Sequence, residues 1–376
     1  MSAFILVTGA SGIAGLETTN ALLAAGFRVR MADVSRPAYI PEGAEFTRCD
    51  TRTPGDCESA VDGIDAVVHL AAWHCGHIPP VSDDTIWAVN TDGTFNILQA
   101  CKRQNIRTVV YASSMAYGHG SVYSVTKVVG EEMCRGYHVQ TGAAVAMLRY
   151  HDFVPKRYLD FGAKLLRNGV DVRDVASSNV AAISAGIEGR YTIFSSVVHT
   201  DHGIPSVVLQ KFTTYWEVWC EQVVAGSTEL IDAYGIDIPA EVEQHDLSKI
   251  YALTGWKPTV GFSEFLADLQ QRHRRGVGRC LRMEQAGCLA AGHVEAINER
   301  TVAFRRCTGT GQVQAAAISG GLQQRAAAII TGHQRAARIG VAVLRVAIPQ
   351  QPGIGAGVVR CDQPGLAAAG LPPRFV

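Results

Sequence analysis

The stretch from Phe4 to Asp33 limits the fold of this chain more than any other. Phe4-Ile5-Leu6-Val7 is a short apolar run with β-branched residues, the pattern of a strand buried on both faces. Thr8-Gly9-Ala10-Ser11-Gly12-Ile13-Ala14-Gly15 follows at once, Leu16 to Ala25 carries helical apolar spacing, and Gly26 stops that helix. Phe27 to Ala32 returns as a second strand that ends at Asp33. In such a unit Gly9 allows the tight turn, Gly12 lets backbone approach a pyrophosphate, and Gly15 lets helix and strand pack closely. Ser11 and Ile13 complete the turn, and the helix start offers free N–H groups to phosphate. Asp33, 18 residues past Gly15, can accept hydrogen bonds from both hydroxyls of an adenosine ribose. It would repel a 2′-phosphate, so NAD is preferred over NADP even with Arg36 nearby.

Charge and cysteine usage narrow the class. The 376 residues carry 34 basic and 34 acidic side chains, a balance that gives no pull toward nucleic acid or an anionic membrane. Ten cysteines without a CxxC pair read as reduced thiols, and no charged leader or long apolar run is present, so a cytoplasmic protein is expected. The balance conceals a division. Residues 1–275 hold 23 Lys+Arg against 30 Asp+Glu, whereas residues 276–376 hold 11 Arg, no Lys and 4 acids, with no Trp or Tyr. The segment 1–275 therefore reads as the folded domain. The tail at 276–376 reads as a disordered or poorly packed extension, a small helical domain, or Ala/Gly/Arg-rich sequence of the kind GC-rich DNA gives in a foreign frame.

Further along, Glu45 to Asp50 reads as a third strand, Asp56 to Val61 as a short helix, and Ala66 to Leu70 as a fourth strand. Leu70-Ala71-Ala72 follows, small residues over which a cofactor can lie. His69, His74 and His77 are close in sequence, but His69 belongs to the strand pattern, and no metal site is assigned. Ile86 to Gln104 is an amphipathic helix containing Asn90. Thr108 to Ala112 is a fifth strand that delivers Ser113 and Ser114 at its C-terminal end, where ligands bind in open α/β sheets. Tyr123 and Lys127 then share one face of a helix running to about Gln140. A sixth strand over Ala143 to Leu148 ends at Arg149, a helix spans Asp174 to Gly186, and a seventh strand covers Arg190 to Phe194. Tyr215 to Trp219 reads as a packing unit.

These residues together resemble the extended short-chain dehydrogenases/reductases, the NAD-dependent epimerase/dehydratase family. The matching pieces are Thr8 to Gly15, Asp33, Asp50, His69 to Ala72, Asn90, Ser113-Ser114, Tyr123 to Lys127 with Gly130-Glu131, Arg149, Asp171 to Ala176 and Gly255 to Pro258. They stand in the family's order and cover about residues 1–270. The resemblance implies a doubly wound α/β (Rossmann) fold with about seven parallel strands and a small C-terminal substrate region, mainly 150–170 and 195–270. It implies Tyr123 as acid/base, Lys127 as support for the phenolate and the nicotinamide ribose, and Ser114 or Ser113 as the group that orients the substrate oxygen. It places the cofactor against Gly9, Ser11, Gly12, Ile13, Gly15, Asp33, Asp50, Leu70, Ala71, Ala72, Asn90 and Lys127.

Two departures shape the expected chemistry. Only Met115 to Val122 separate the serines from Tyr123, where the family usually has a loop of some twenty residues, so the site is either more open or altered. Arg149 and Asp174 are 25 positions apart, leaving little chain to bury a nucleotide sugar. This compact form is more similar to the family's uronate dehydrogenases, in which case Arg149, or Lys156-Arg157, could pair with a substrate carboxylate. The alternative is that Arg149 ties strand to sheet edge. The expected activity is hydride transfer at a secondary alcohol or ketone of a sugar-like or polyol small molecule. A nucleotide-sugar 4-epimerase with retained NAD and a non-catalytic NAD-binding regulator are the alternatives. A homodimer is allowed for; nucleic-acid and membrane partners are not expected.

Overall fold

The structure is a computed structural model. It describes residues 2–276 apart from Ile78 and Pro155, together with the backbone of five strands between 302 and 361. The chain divides into two compact units, Met1–Arg282 and Met283–Val376.

In the first unit, seven strands form one sheet: β1 (Phe4–Thr8), β2 (Arg28–Asp33), β3 (Ala44–Arg48), β4 (Ala66–His69), β5 (Thr108–Ser114), β6 (Ala144–Tyr150) and β7 (Ile193–Val198). Their order is β3-β2-β1-β4-β5-β6-β7 and every pair is parallel. Helices on both faces explain why the central strands are apolar throughout. In β1, Ile5 and Val7 join one core beneath α1 (Ile13–Ala24), while Phe4 and Leu6 join the other beneath α2 (Pro54–Val61). The strand order reverses between β1 and β4, so the glycine turn after β1 opens into a crevice at the C-terminal edge of the sheet.

The expected elements fall close to their positions, with two informative shifts. The helix expected over 86–104 is three pieces: α3 (Asp83–Trp87), a π-helical turn (Ala88–Asp92) and α4 (Gly93–Arg103). The last strand lies at 193–198 rather than 190–194, because Tyr191 turns into the core beside Phe194 and its hydroxyl donates to the Ala182 carbonyl. α5 (Val122–Thr141) starts on Ser121, whose hydroxyl accepts from the Ser124 N–H at 3.2 Å.

The C-terminal part of this unit comprises α6 (Tyr158–Leu165), α7 (Val172–Ile187), α8 (Ser206–Leu209), α9 (Phe212–Val223), α10 (Ser227–Tyr234), α11 (Ser248–Thr254) and α12 (Phe262–Arg274). Asp174 on α7 accepts from the N–H groups of Thr259 and Val260, at 2.8 and 2.9 Å, and from the Thr259 hydroxyl. Trp256 Nε1 donates to Ser177 Oγ at 2.9 Å. These bonds fasten the 255–260 segment to α7. Of the run Tyr215 to Trp219, Trp219 is buried beside Phe212 and Phe262, whereas Tyr215 and Val218 are exposed, so the run packs through Trp219 and not as a whole.

Beyond residue 276, the described backbone forms a second sheet: β8 (Val302–Arg305), β9 (Val313–Ile318), β10 (Arg325–Ile330), β11 (Ala342–Ala347) and β12 (Val358–Cys361). Neighbours are antiparallel in sequence order. The expectation for the 276–376 tail otherwise falls on residues outside the described ones. Among the described residues, no helix is long and apolar enough to cross a membrane.

Candidate active site

The glycine turn has the shape a dinucleotide needs. Gly9 is left-handed (φ 67°), and a Cβ there would stand 2.8 Å from the Ala71 backbone; one on Gly15 would overlap the Gly9 carbonyl. Helix α1 therefore sits as close to β1 as backbone permits. Gly12 caps α1 without a side-chain hydrogen bond, and the first turn holds no acid, so the N–H groups at its start face an anion without competition. Asp33 is drawn to the same turn: its Oδ2 accepts from Ser11 N–H at 3.0 Å and its Oδ1 from Ser35 N–H at 3.1 Å. Each oxygen keeps a further lone pair for a ribose hydroxyl. The open backbone cradle and the acid beside it fit NAD. Asp50 lies two residues past the end of β3. Arg52 grips its carboxylate at 2.6 and 2.9 Å and keeps its pKa below the ordinary value.

Ser114, Tyr123 and Lys127 are brought together although the connecting segment is short. That segment turns through Gly118 and Gly120, both left-handed (φ 85° and 76°). Ser114 ends β5 and accepts from Ala116 N–H at 3.1 Å, and its hydroxyl acts to lower the Tyr123 pKa. Lys127 Nζ lies 5.7 Å from the Tyr123 ring centroid and donates to the Ala112 carbonyl at 2.8 Å. Burial pushes the Lys127 ammonium down to about 8 and raises the Tyr123 phenol above its ordinary value, although the Ser114 hydroxyl acts to lower it. The protein alone thus stores a protonated phenol beside a lysine that titrates near neutrality. Desolvation of the phenolate is the largest cause of the rise, with the Asp152 charge adding to it.

Ser113 and Arg149, both expected near the substrate, meet on one carboxylate. Ser113 donates to Glu131 Oε1 at 2.6 Å. Arg149 forms a bidentate pair with the same carboxylate, Nε to Oε1 at 2.7 Å and Nη2 to Oε2 at 2.8 Å, with its guanidinium 4.5 Å from the Tyr117 ring centroid. Arg149 thereby ties β6 to α5, and Ser113 shares the same carboxylate. Lys156 lies 3.5 Å from Asp152, and Arg157 pairs with Asp160 at 2.6 Å.

A buried chain joins the two halves of the site. The Ala71 N–H donates to Thr8 Oγ1 at 3.3 Å, and Thr8 Oγ1 lies 2.7 Å from His69 Nδ1. His69 Nε2 is 3.0 Å from Thr94 Oγ1, which donates to the Asn90 carbonyl. Asn90 sits in the π-helical turn, grips the Trp73 backbone with both amide atoms, and donates to Thr126 Oγ1 at 3.0 Å; Thr126 in turn donates to the Tyr123 carbonyl. Asn90 therefore acts by holding the loop after Leu70-Ala71-Ala72 in place. Both nitrogens of His69 are engaged, so His69, His74 and His77 do not assemble around a metal. His74 stands edge-on to Tyr123 with ring centroids 4.8 Å apart, and the charge of Asp152 reaches both rings. Asp152 was not singled out in the sequence; its position two residues beyond β6, at the ligand-binding edge, was the available signal.

A sheet that reverses beside an open glycine turn, with Ser, Tyr and Lys gathered at the end of β5, defines an NAD-binding domain of the short-chain dehydrogenase/reductase class. Residues 5–167 match the model of the NAD dependent epimerase/dehydratase family. The chain is similar to short-chain dehydrogenase/reductase family 42E member 1 of Bos taurus, 37% identical over 113 residues, 29% of each chain. It is similar to sterol demethylase protein B of Methylococcus capsulatus, 29% identical over 227 residues, covering 50% of this chain and 68% of that one. A crystal structure of UDP-galactose 4-epimerase has the same fold, with a TM-score of 0.51 and 24% identity over 73% of this chain and 99% of that one.

Proposed function

We propose that the chain catalyses NAD-dependent hydride transfer at a secondary alcohol or ketone carbon of a small polyhydroxy substrate. The convergence of Ser114, Tyr123 and Lys127 at the C-terminal end of β5, over a cradle fit for NAD, carries this reading. Bound NAD supplies a hydride acceptor. Ser114 orients the substrate hydroxyl; the Tyr123 phenol first gives its own proton to solvent, and the resulting phenolate takes the substrate's proton as the carbon gives up hydride. Lys127 places positive charge behind the phenol, and the Ala112 carbonyl fixes where that charge stands. In reduction the tyrosine returns the proton. Because Arg149, Lys156 and Arg157 each already face a carboxylate, a neutral sugar or polyol is favoured over a free sugar acid.

The test is NADH absorbance with a panel of aldoses, polyols, free uronates and UDP-sugars, with sterol alcohols added for the similarity to the sterol demethylase component. Stoichiometric NADH from an aldose or polyol is expected. Interconversion of UDP-sugars without net NADH would make the chain an epimerase, and NAD binding without either would make it a regulator.

A further inference from the structure

A second cluster of polar side chains lies past the ends of β6 and β7, apart from the Ser–Tyr–Lys group. His151 follows β6 directly, and His199 follows β7. Glu243 and His245 come from the segment between α10 and α11, which the Glu243 N–H bonds to the Leu166 carbonyl at 3.1 Å. The His151 ring lies 4.2 Å from the His199 ring and 4.5 Å from the His245 ring, centroid to centroid. His199 has both nitrogens 3.0 Å from backbone carbonyls, of Thr200 and Arg167, so it packs against the group without a nitrogen to offer. His151 differs. It is 5% exposed, and its Nε2 is fully buried with no hydrogen-bond partner. That nitrogen lies 3.9 Å from Glu243 Oε1, which is 3.0 Å from His245 Nε2.

An ordinary surface pair accounts for Glu243 and His245 but leaves His151 Nε2 orphaned, a state that buried polar atoms rarely keep. We propose that His151, Glu243 and His245 bind a divalent transition metal of the zinc type. Two imidazoles and one carboxylate are a recurring zinc donor set that leaves a fourth position open. The three ligand atoms lie within 4.8 Å of one another. Zinc bonds of ~2.0–2.2 Å place ligand atoms roughly 3.3–3.6 Å apart in a tetrahedron, so a movement of about 1 Å closes the set. Glu243 and His245, both partly exposed, can supply that movement. A cleft of about 360 Å³, lined by His245, Asp201, Tyr251 and Trp256, gives the ion a path from solvent. Bound there, the metal would pin the segment before α11 across the ends of β6 and β7.

The full chain, stripped of metal with a chelator and dialysed, is titrated with Zn²⁺ by calorimetry and with Co²⁺ by visible absorption. One tight equivalent and the intense bands of four-coordinate cobalt are expected. His245→Ala and Glu243→Gln alter partly exposed side chains, so a native circular-dichroism spectrum is expected of both. Each should weaken binding at least ~100-fold, the upper end of what losing even an outer partner does. A His74→Ala/His77→Ala variant should bind as the parent does. No stoichiometric binding by the parent, or equal binding by the two ligand variants, overturns the proposal.

Discussion

Glu131 holds Arg149 with both carboxylate oxygens, 2.7 and 2.8 Å from the guanidinium, while also accepting from Ser113 at 2.6 Å. The carboxylate is 1% exposed, and although burial raises its pKa, the bonds from Arg149 and Ser113 hold it below the ordinary value. Three elements, β5, β6 and α5, therefore meet on one buried charge beside Ser114. Glu131→Ala should destabilise the protein by about 3 kcal/mol, because it leaves Arg149 and Ser113 without their partner. Urea unfolding of parent and variant measures this. A loss under 1 kcal/mol would mean that the pair contributes nothing net.

Tyr123→Phe should lower turnover at least ~100-fold, the scale of general acid–base removal, while NAD affinity stays near that of the parent. Lys127→Met should lower both, since the lysine serves the tyrosine and the cofactor ribose. Steady-state kinetics with NAD titration separates the two. Retained turnover in Tyr123→Phe would move the proton-transfer role to His74, whose ring stands beside it.

Asp33→Ala should weaken NAD binding by about 1–3 kcal/mol and narrow its preference over NADP, because a charged ribose acceptor is removed. Fluorescence titration with each dinucleotide reports it. Unchanged NAD affinity would remove Asp33 from the cofactor site.

Acid should loosen the molecule through His69. Burial, with Lys127 nearby, pushes this imidazole down to about 3 from an ordinary 6.5. The unfolded chain then binds the proton that the folded one refuses, so His69 contributes stability that is complete above pH 6.5 and is lost as pH falls toward 3. Thermal midpoints across that window should fall less steeply for His69→Gln than for the parent. Parallel curves would show that other groups carry the acid response.

Truncation after Gly276 should leave a cooperative, NAD-binding protein, because every strand of the parallel sheet and every described site residue precedes the cut. Thermal unfolding and NAD titration of residues 1–276 beside the full chain test this domain boundary. Aggregation or loss of NAD binding would place the boundary further on.

Local sequence determined the nucleotide half of this protein. Gly9, Gly15 and Asp33 lie within one strand–turn–helix–strand unit, and the physical demands on them act over a few residues, so spacing alone made them legible. The Ser–Tyr–Lys group was legible through the family resemblance, on two consecutive elements, β5 and α5. Tertiary structure decided the partners of charged and polar side chains. Arg149 looked available in the sequence, but only folding brings it onto Glu131, 18 positions earlier on another element. Asn90 and His69 looked like a cofactor contact and a core residue; folding joins them through Thr94 and carries the chain of bonds from Thr8 to Tyr123. His151 and His245 are 94 positions apart, and no local pattern links them. Hydrophobic periodicity sets which face a residue occupies, but a buried polar group must find its partner in three dimensions, and that choice is made by the packing of distant elements.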